Sequence, residues 1–157
     1  MTDAAAELVA RLKESGLTVA VAESLTGGLL AAAFTSVPGA SAVFRGSVTA
    51  YATDLKASQL GVSADLLDAE GAVHADVAAQ MSRGVRRVLG ADVGIATTGV
   101  AGPTGQDRKP VGLVYVAVCA PDGTVRVTES HFAGDRESVR AQAVDEALRL
   151  GRAAIAL

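Results

Sequence analysis

The chain has 157 residues, enough for one domain with a real core, and its net charge of −3 argues against a broad nucleic-acid surface, which needs clustered Lys and Arg. A small anionic ligand, which needs only one or two cations and some main-chain amides, stays possible. Half of the residues are hydrophobic but only 3% are aromatic, so the core is Ala, Val and Leu. The lone Cys119 excludes an intrachain disulfide and a cysteine-rich metal site, and without a signal peptide or a membrane-length apolar run the expected location is the cytoplasm, with no membrane partner.

Residues 3–15 place Ala6, Val9, Ala10 and Leu12 at helical spacing, and Gly16 stops that helix. Residues 18–22 read as a buried strand and 29–36 as an Ala/Leu-rich helix. Between them lies Ala22-Glu23-Ser24-Leu25-Thr26-Gly27-Gly28, where a strand stops, a small-residue turn follows and a helix begins. Such a turn aims the N–H groups of the helix start at whatever sits above the sheet edge. Gly27 and Gly28 let backbone and ligand approach closely. Ser24 and Thr26 each offer a hydroxyl. One of them can be a nucleophile, with the helix amides stabilising the oxyanion that develops, or either can simply cap the helix.

Pro38-Gly39 ends the helix, and Ser41 in the next loop either bonds its own backbone or contacts a ligand. Residues 43–51 read as a strand that delivers Tyr51 to its far end, with Gly46 marking a bulge or a close backbone approach. Thr53 or Asp54 caps a helix over 54–60 that carries Lys56, so Tyr51 and Lys56 flank one corner. A lysine there is ordinarily a solvated charge. Beside a serine hydroxyl in a dry pocket, desolvation lowers its pKa and the neutral amine can take the serine proton. Ser63 caps a short turn through Leu67, and 70–74 is a connector. The next helix, 75–89, turns Val77, Ala78, Met81, Val85, Val88 and Leu89 inward and Arg83, Arg86 and Arg87 to solvent. His74 and His131 lack a second His or Cys at ligand spacing, so no metal site is expected.

Residues 91–98 form the next buried strand. Gly99-Val100-Ala101-Gly102-Pro103-Thr104-Gly105 then makes a tight loop at a strand end, where open α/β sheets bind ligands. It is neither a Walker loop nor a dinucleotide fingerprint. Gln106 to Lys109 reads as polar and mobile. Strands 113–119 and 125–132, joined by Pro121-Asp122-Gly123, pair as an antiparallel hairpin. Gly134-Asp135-Arg136 opens the last helix, 135–155, on which Arg136 and Arg140 share a face. An arginine at a helix start opposes the helix dipole. Either it grips a phosphate or carboxylate, or it is a plain surface residue. No repeat or linker divides the chain, which reads as one domain over residues 1–157.

The run Ala22 to Gly28, Tyr51 with Lys56, Thr98-Gly99-Val100-Ala101-Gly102-Pro103, Lys109-Pro110-Val111-Gly112 and Gly134-Asp135-Arg136 together resemble the C-terminal domain of the competence/damage-inducible CinA proteins. That is the nicotinamide-nucleotide amidohydrolase family, and the motifs stand in family order along nearly the whole chain. The resemblance implies a three-layer α/β/α sandwich, here with a mixed, partly antiparallel central sheet, in a homodimer or higher homo-oligomer. It implies deamidation of a small-molecule nucleotide, nicotinamide mononucleotide, to nicotinate mononucleotide and ammonia in pyridine nucleotide salvage. No metal or organic cofactor is implied. By the same resemblance Ser24 is the nucleophile, Lys56 its general base, and Tyr51 orients Lys56 or the nicotinamide. Ser41, Thr98, Gly99 and Arg136 line the nucleotide pocket. Beside this, the amides of Thr26, Gly27 and Gly28 are candidates to hold the oxyanion, and Arg136 with the 99–105 loop to grip the phosphate. The chain departs from the family at Ala52-Thr53, where many relatives have Ser-Asn after the tyrosine. The alternative is a nucleotide-binding or partner module of the same fold that lost turnover. Only the hydrolase requires Ser24 and Lys56 to touch.

Overall fold

A computed structural model describes residues 2–155. Five strands, β1 (Val19–Glu23), β2 (Phe44–Thr49), β3 (Val93–Gly99), β4 (Leu113–Cys119) and β5 (Val125–His131), form one sheet in the order β2-β1-β3-β4-β5. The first three run parallel, and β4 and β5 are antiparallel additions, as the hairpin reading expects. Helices α1 (Thr2–Ser15), α2 (Leu29–Thr35) and α6 (Arg136–Ile155) cover one face. Helices α3 (Thr53–Leu60), α4 (Ala64–Glu70) and α5 (Ala75–Val88) cover the other, which completes the three-layer α/β/α sandwich. Among the described residues no helix is long and apolar enough to cross a membrane.

The two faces of the sheet carry different side chains. Val19, Val21, Val93, Ile95, Val114, Val116 and Val118 pack against Leu8, Leu12, Phe34, Val144 and Leu148 of the α1/α2/α6 layer. The opposite face presents Ala20, Ala22, Ala96 and Ala117 instead. Removing side-chain bulk there lets α5 lie close to the sheet: a methyl group added at Gly94 would collide with Ser82 O, while one at Gly84 would collide with Leu60 O at the end of α3. The alanine-rich, aromatic-poor composition is thus the signature of a thin layer on one side.

Register and bulge bring the strand ends together. Val19 pairs with Phe44, but Ala20 pairs with Gly46, so Arg45 is an extra residue, and Gly46 has φ 147°. That is the bulge the glycine predicts, and it is one few other residues accommodate. The carboxyl ends of β1, β2 and β3 therefore meet at Glu23, Thr49 and Gly99, where parallel strands build their sites.

Four expectations are corrected. The stretch after Ser63 is a full helix, α4, with Ser63 Oγ accepting from Leu66 N. Val88 is half exposed, because α5 is already ending there. Arg86 donates to Pro121 O at 2.7 Å, so it ties α5 to the β4–β5 turn instead of lying free in solvent. Gln106 to Lys109 is tied down: the two end residues exchange main-chain bonds, and the Asp107 carboxylate accepts from Ala72 N.

Candidate active site

Ser24 follows the last residue of β1 and is still held as a strand residue, since its N–H donates to Thr97 O on β3. On the other side Ala50 N donates to Glu23 O, which carries the β2 ladder one residue past its end. The two extensions set the Ser24 turn beside the corner that leads into α3. Lys56, in the first turns of α3, reaches back into this corner. Its Nζ donates to Ser24 Oγ at 2.9 Å, to Ala50 O at 2.8 Å and to Tyr51 O at 3.4 Å. Lys56 is 1% exposed and Ser24 9%. Burial pulls the Lys56 amine down from 10.5 to about 8, against the opposing pull of the Asp107 carboxylate.

These three acceptors define what the amine can do. As an ammonium it uses all three donors. As a neutral amine it keeps two N–H bonds to the carbonyls of Ala50 and Tyr51, and its lone pair then faces Ser24 Oγ. The geometry suits a base that takes the serine proton.

The turn itself is fixed from three sides. The fully buried Glu23 carboxylate accepts from Leu30 N at 2.7 Å and Ala31 N at 3.2 Å. Thr26 Oγ1 pairs with Thr97 Oγ1 at 2.8 Å. From α6, Arg140 donates through Nε to Leu25 O at 2.8 Å and through Nη2 to Thr26 O at 3.2 Å.

Above Ser24 opens a cavity of about 330 Å³, lined by Ser24, Leu25, Tyr51, the 99–102 and 104–106 stretches and Arg136. Arg136 spans its mouth. Nη1 donates to Gly102 O at 2.7 Å and Nη2 to the Tyr51 hydroxyl at 3.0 Å. Tyr51 is 57% exposed, so this end of the cavity is wet.

Ser24, Lys56, Tyr51, Gly99 and Arg136 are thus brought together. Tyr51 meets Lys56 through its main-chain oxygen, whereas its phenol turns outward to Arg136. Other candidates lie elsewhere within one chain. The Thr98 hydroxyl donates to Ala72 O at 2.7 Å, toward the segment before α5. Ser41 lines a separate hollow with Thr35, Val37, Pro38 and Phe44. Thr26, Gly27 and Gly28 do not line the cavity. The Gly27 N–H turns inward to Ser24 O, Leu29 N donates to Thr26 O, and Leu30 N and Ala31 N are engaged by Glu23. What sits at the helix start is the chain's own carboxylate, so the Leu30 and Ala31 amides are not free for a ligand. Glu23 and Arg140 are the site residues that the sequence reading did not select. The only signal for either was the spacing of Arg140 one helical turn after Arg136.

The comparisons with known proteins bear on the family and the fold. The family model of the CinA C-terminal domain matches residues 1–155. A CinA-like protein of Frankia casuarinae is 54% identical over 145 residues, which are 92% of this chain and 33% of that protein. A CinA-like protein of an Anaeromyxobacter species is 52% identical over 149 residues, 94% of this chain and 36% of the relative. The chain therefore spans about a third of the length of the curated relatives it matches. The crystal structure of competence/damage inducible protein CihA from Agrobacterium tumefaciens superposes with a TM-score of 0.93 at 37% identity, covering 97% of this chain and 93% of that one. A CinA superfamily protein from Escherichia coli superposes with a TM-score of 0.91 at 35% identity, covering 96% and 89%. The mixed α/β sandwich is that of the CinA superfamily. Within it, this chain belongs to the CinA C-terminal domain family.

Proposed function

We propose that the protein is a nicotinamide-nucleotide amidohydrolase that converts nicotinamide mononucleotide to nicotinate mononucleotide and ammonia in the cytoplasm. The observation that carries this reading is the buried contact of 2.9 Å between Lys56 Nζ and Ser24 Oγ. A solvated lysine, or a serine that merely caps a helix, would not need it.

In this reading neutral Lys56 takes the proton of Ser24 Oγ as the oxygen attacks the carboxamide carbon. The tetrahedral intermediate collapses as the Lys56 ammonium returns the proton to the departing nitrogen, and ammonia leaves. The ester on Ser24 is then attacked by water, whose proton again passes to Lys56. Ser24 leaves with that proton and the carboxylate product is released. Main-chain carbonyls hold the amine in one place throughout, so the step needs little reorganisation. Arg136, at the cavity mouth, has guanidinium donors beyond those engaged by Gly102 and Tyr51 to offer the phosphate.

Ser41 reaches a nucleotide in this cavity only if a second copy brings its hollow against it, which is the homo-oligomer the resemblance implies. Light scattering of the purified protein tests that part; a monomer that turns over removes Ser41 from the site. The test of the reaction is ammonia release from nicotinamide mononucleotide by wild type, Ser24→Ala and Lys56→Ala. Release by wild type alone, with both variants folded, supports the amidohydrolase. Nucleotide binding without release assigns the protein to a module that kept the fold and lost turnover.

A further inference from the structure

We infer that Arg140 is a positioning residue: by clasping the main-chain oxygens of Leu25 and Thr26 it sets the Leu25–Thr26 and Thr26–Gly27 peptide planes of the turn after Ser24. The inference rests on the proposed role of Ser24 as nucleophile and adds a residue to it.

The geometry is specific. One guanidinium bonds two consecutive carbonyls, at 2.8 Å through Nε and 3.2 Å through Nη2. In a trans peptide the carbonyl and the next N–H point opposite ways. Drawing Leu25 O toward Arg140 therefore turns the Thr26 N–H away from it. Drawing Thr26 O the same way turns the Gly27 N–H away, and that N–H does close back onto Ser24 O at 3.0 Å. Gly27 has φ 53°, a left-handed conformation, and a methyl group there would stand 3.3 Å from Arg140 Nη2. The turn is therefore shaped around the guanidinium as much as around its own sequence.

A lysine cannot replace this contact. Its ammonium is a single point charge, whereas the guanidinium holds donors in a fixed fork that reaches both oxygens. A cation on a peptide oxygen also polarises that peptide and strengthens its N–H as a donor. Arg140 thus acts on the main chain next to the nucleophile without touching substrate. Arg136, one turn earlier, serves the opposite wall of the cavity through Gly102 and Tyr51.

The test is the rate at which a fluorophosphonate labels Ser24, a reaction that needs the nucleophile and its turn but no nucleotide. Wild type, Arg140→Lys and Arg140→Met are compared, with thermal unfolding measured alongside and labelling run well below each unfolding midpoint. The expected result is a fall in labelling rate of about 10- to 100-fold in both variants, with the pH midpoint of labelling unmoved. With nicotinamide mononucleotide kcat should fall in parallel and KM should stay within about twofold. Guanidinium added to Arg140→Ala should restore part of the labelling rate. Wild-type labelling rates in a folded Arg140→Met variant overturn the inference and leave Ser24 as nucleophile. A wild type that takes no label at Ser24 overturns both.

Discussion

The inner and outer ends of the cavity are built on opposite plans. At the inner end Ser24 and Lys56 are buried, and the polar groups around them are tied to main chain: the lysine to Ala50 O and Tyr51 O, Glu23 to Leu30 N and Ala31 N, Arg140 to Leu25 O and Thr26 O. At the outer end the Tyr51 phenol is mostly in water and is held by one side-chain bond to Arg136. Burial at the inner end brings the amine near neutrality and fixes it. Exposure at the outer end leaves the remaining Arg136 donors open to an anion, while the bond to the Tyr51 hydroxyl holds the guanidinium in place. In the proposed reaction chemistry falls to the dry end and recognition to the wet end, so variants at the two ends should fail in different kinetic constants.

The largest effect should come from the inner end. Ser24→Ala and Lys56→Met should each lower ammonia release by about a thousandfold or more. Lys56→Met should do so without unfolding the protein. The folded amine titrates near 8 instead of 10.5, so the unfolded chain holds its proton more tightly between those values. The charge thus costs about 3 kcal/mol at pH 7, and wild-type stability rises as pH climbs from 8 toward 10.5. The methionine removes that cost but leaves Ala50 O without its donor, worth about 1–3 kcal/mol. Unfolding curves at pH 7 and pH 10 should show wild type gaining on the variant with pH.

Next in size is the outer end. Arg136→Ala should raise KM about 10- to 100-fold with kcat within about twofold, read from initial rates. A matching loss of kcat would move Arg136 to the chemical end. Smaller again is Asp107→Asn. Its carboxylate raises the Lys56 pKa, so removing it should move the alkaline-rising limb of kcat/KM to lower pH, by under about one unit. The smallest effect should be that of Tyr51→Phe. The carbonyl that holds Lys56 is kept and only the bond to Arg136 is lost, so KM should rise a few fold, by about 1 kcal/mol of binding, with the pH limb unmoved.

Local pattern carried most of the fold. Apolar runs punctuated by Gly and Pro marked all five strands, and Gly46 marked the bulge between β1 and β2. The α4 helix was missed because seven residues with two adjacent leucines give no clear 3.6-residue period. The Ser24 turn and Lys56 were legible as candidates, yet their contact depends on parallel pairing of β1 with β2, which no local pattern encodes. Glu23 gives no signal of its own, because its carboxylate bonds amides seven and eight residues on, across a turn whose shape the sequence does not state. The hydroxyls of Thr26 and Thr98 looked available but are engaged by Thr97 and Ala72 O, partners that only the folded sheet brings near. Arg140 stood out only through its spacing with Arg136, because its carbonyl partners lie more than a hundred residues away in the chain.

The proposed reaction requires that an amine buried beside a serine hydroxyl give up its proton near neutrality. It is tested most directly by following the 13Cε resonance of Lys56 with pH in protein labelled at lysine, with Lys56→Met giving the assignment. The expected midpoint is at about 8. A midpoint at the ordinary lysine value of 10.5 would contradict it.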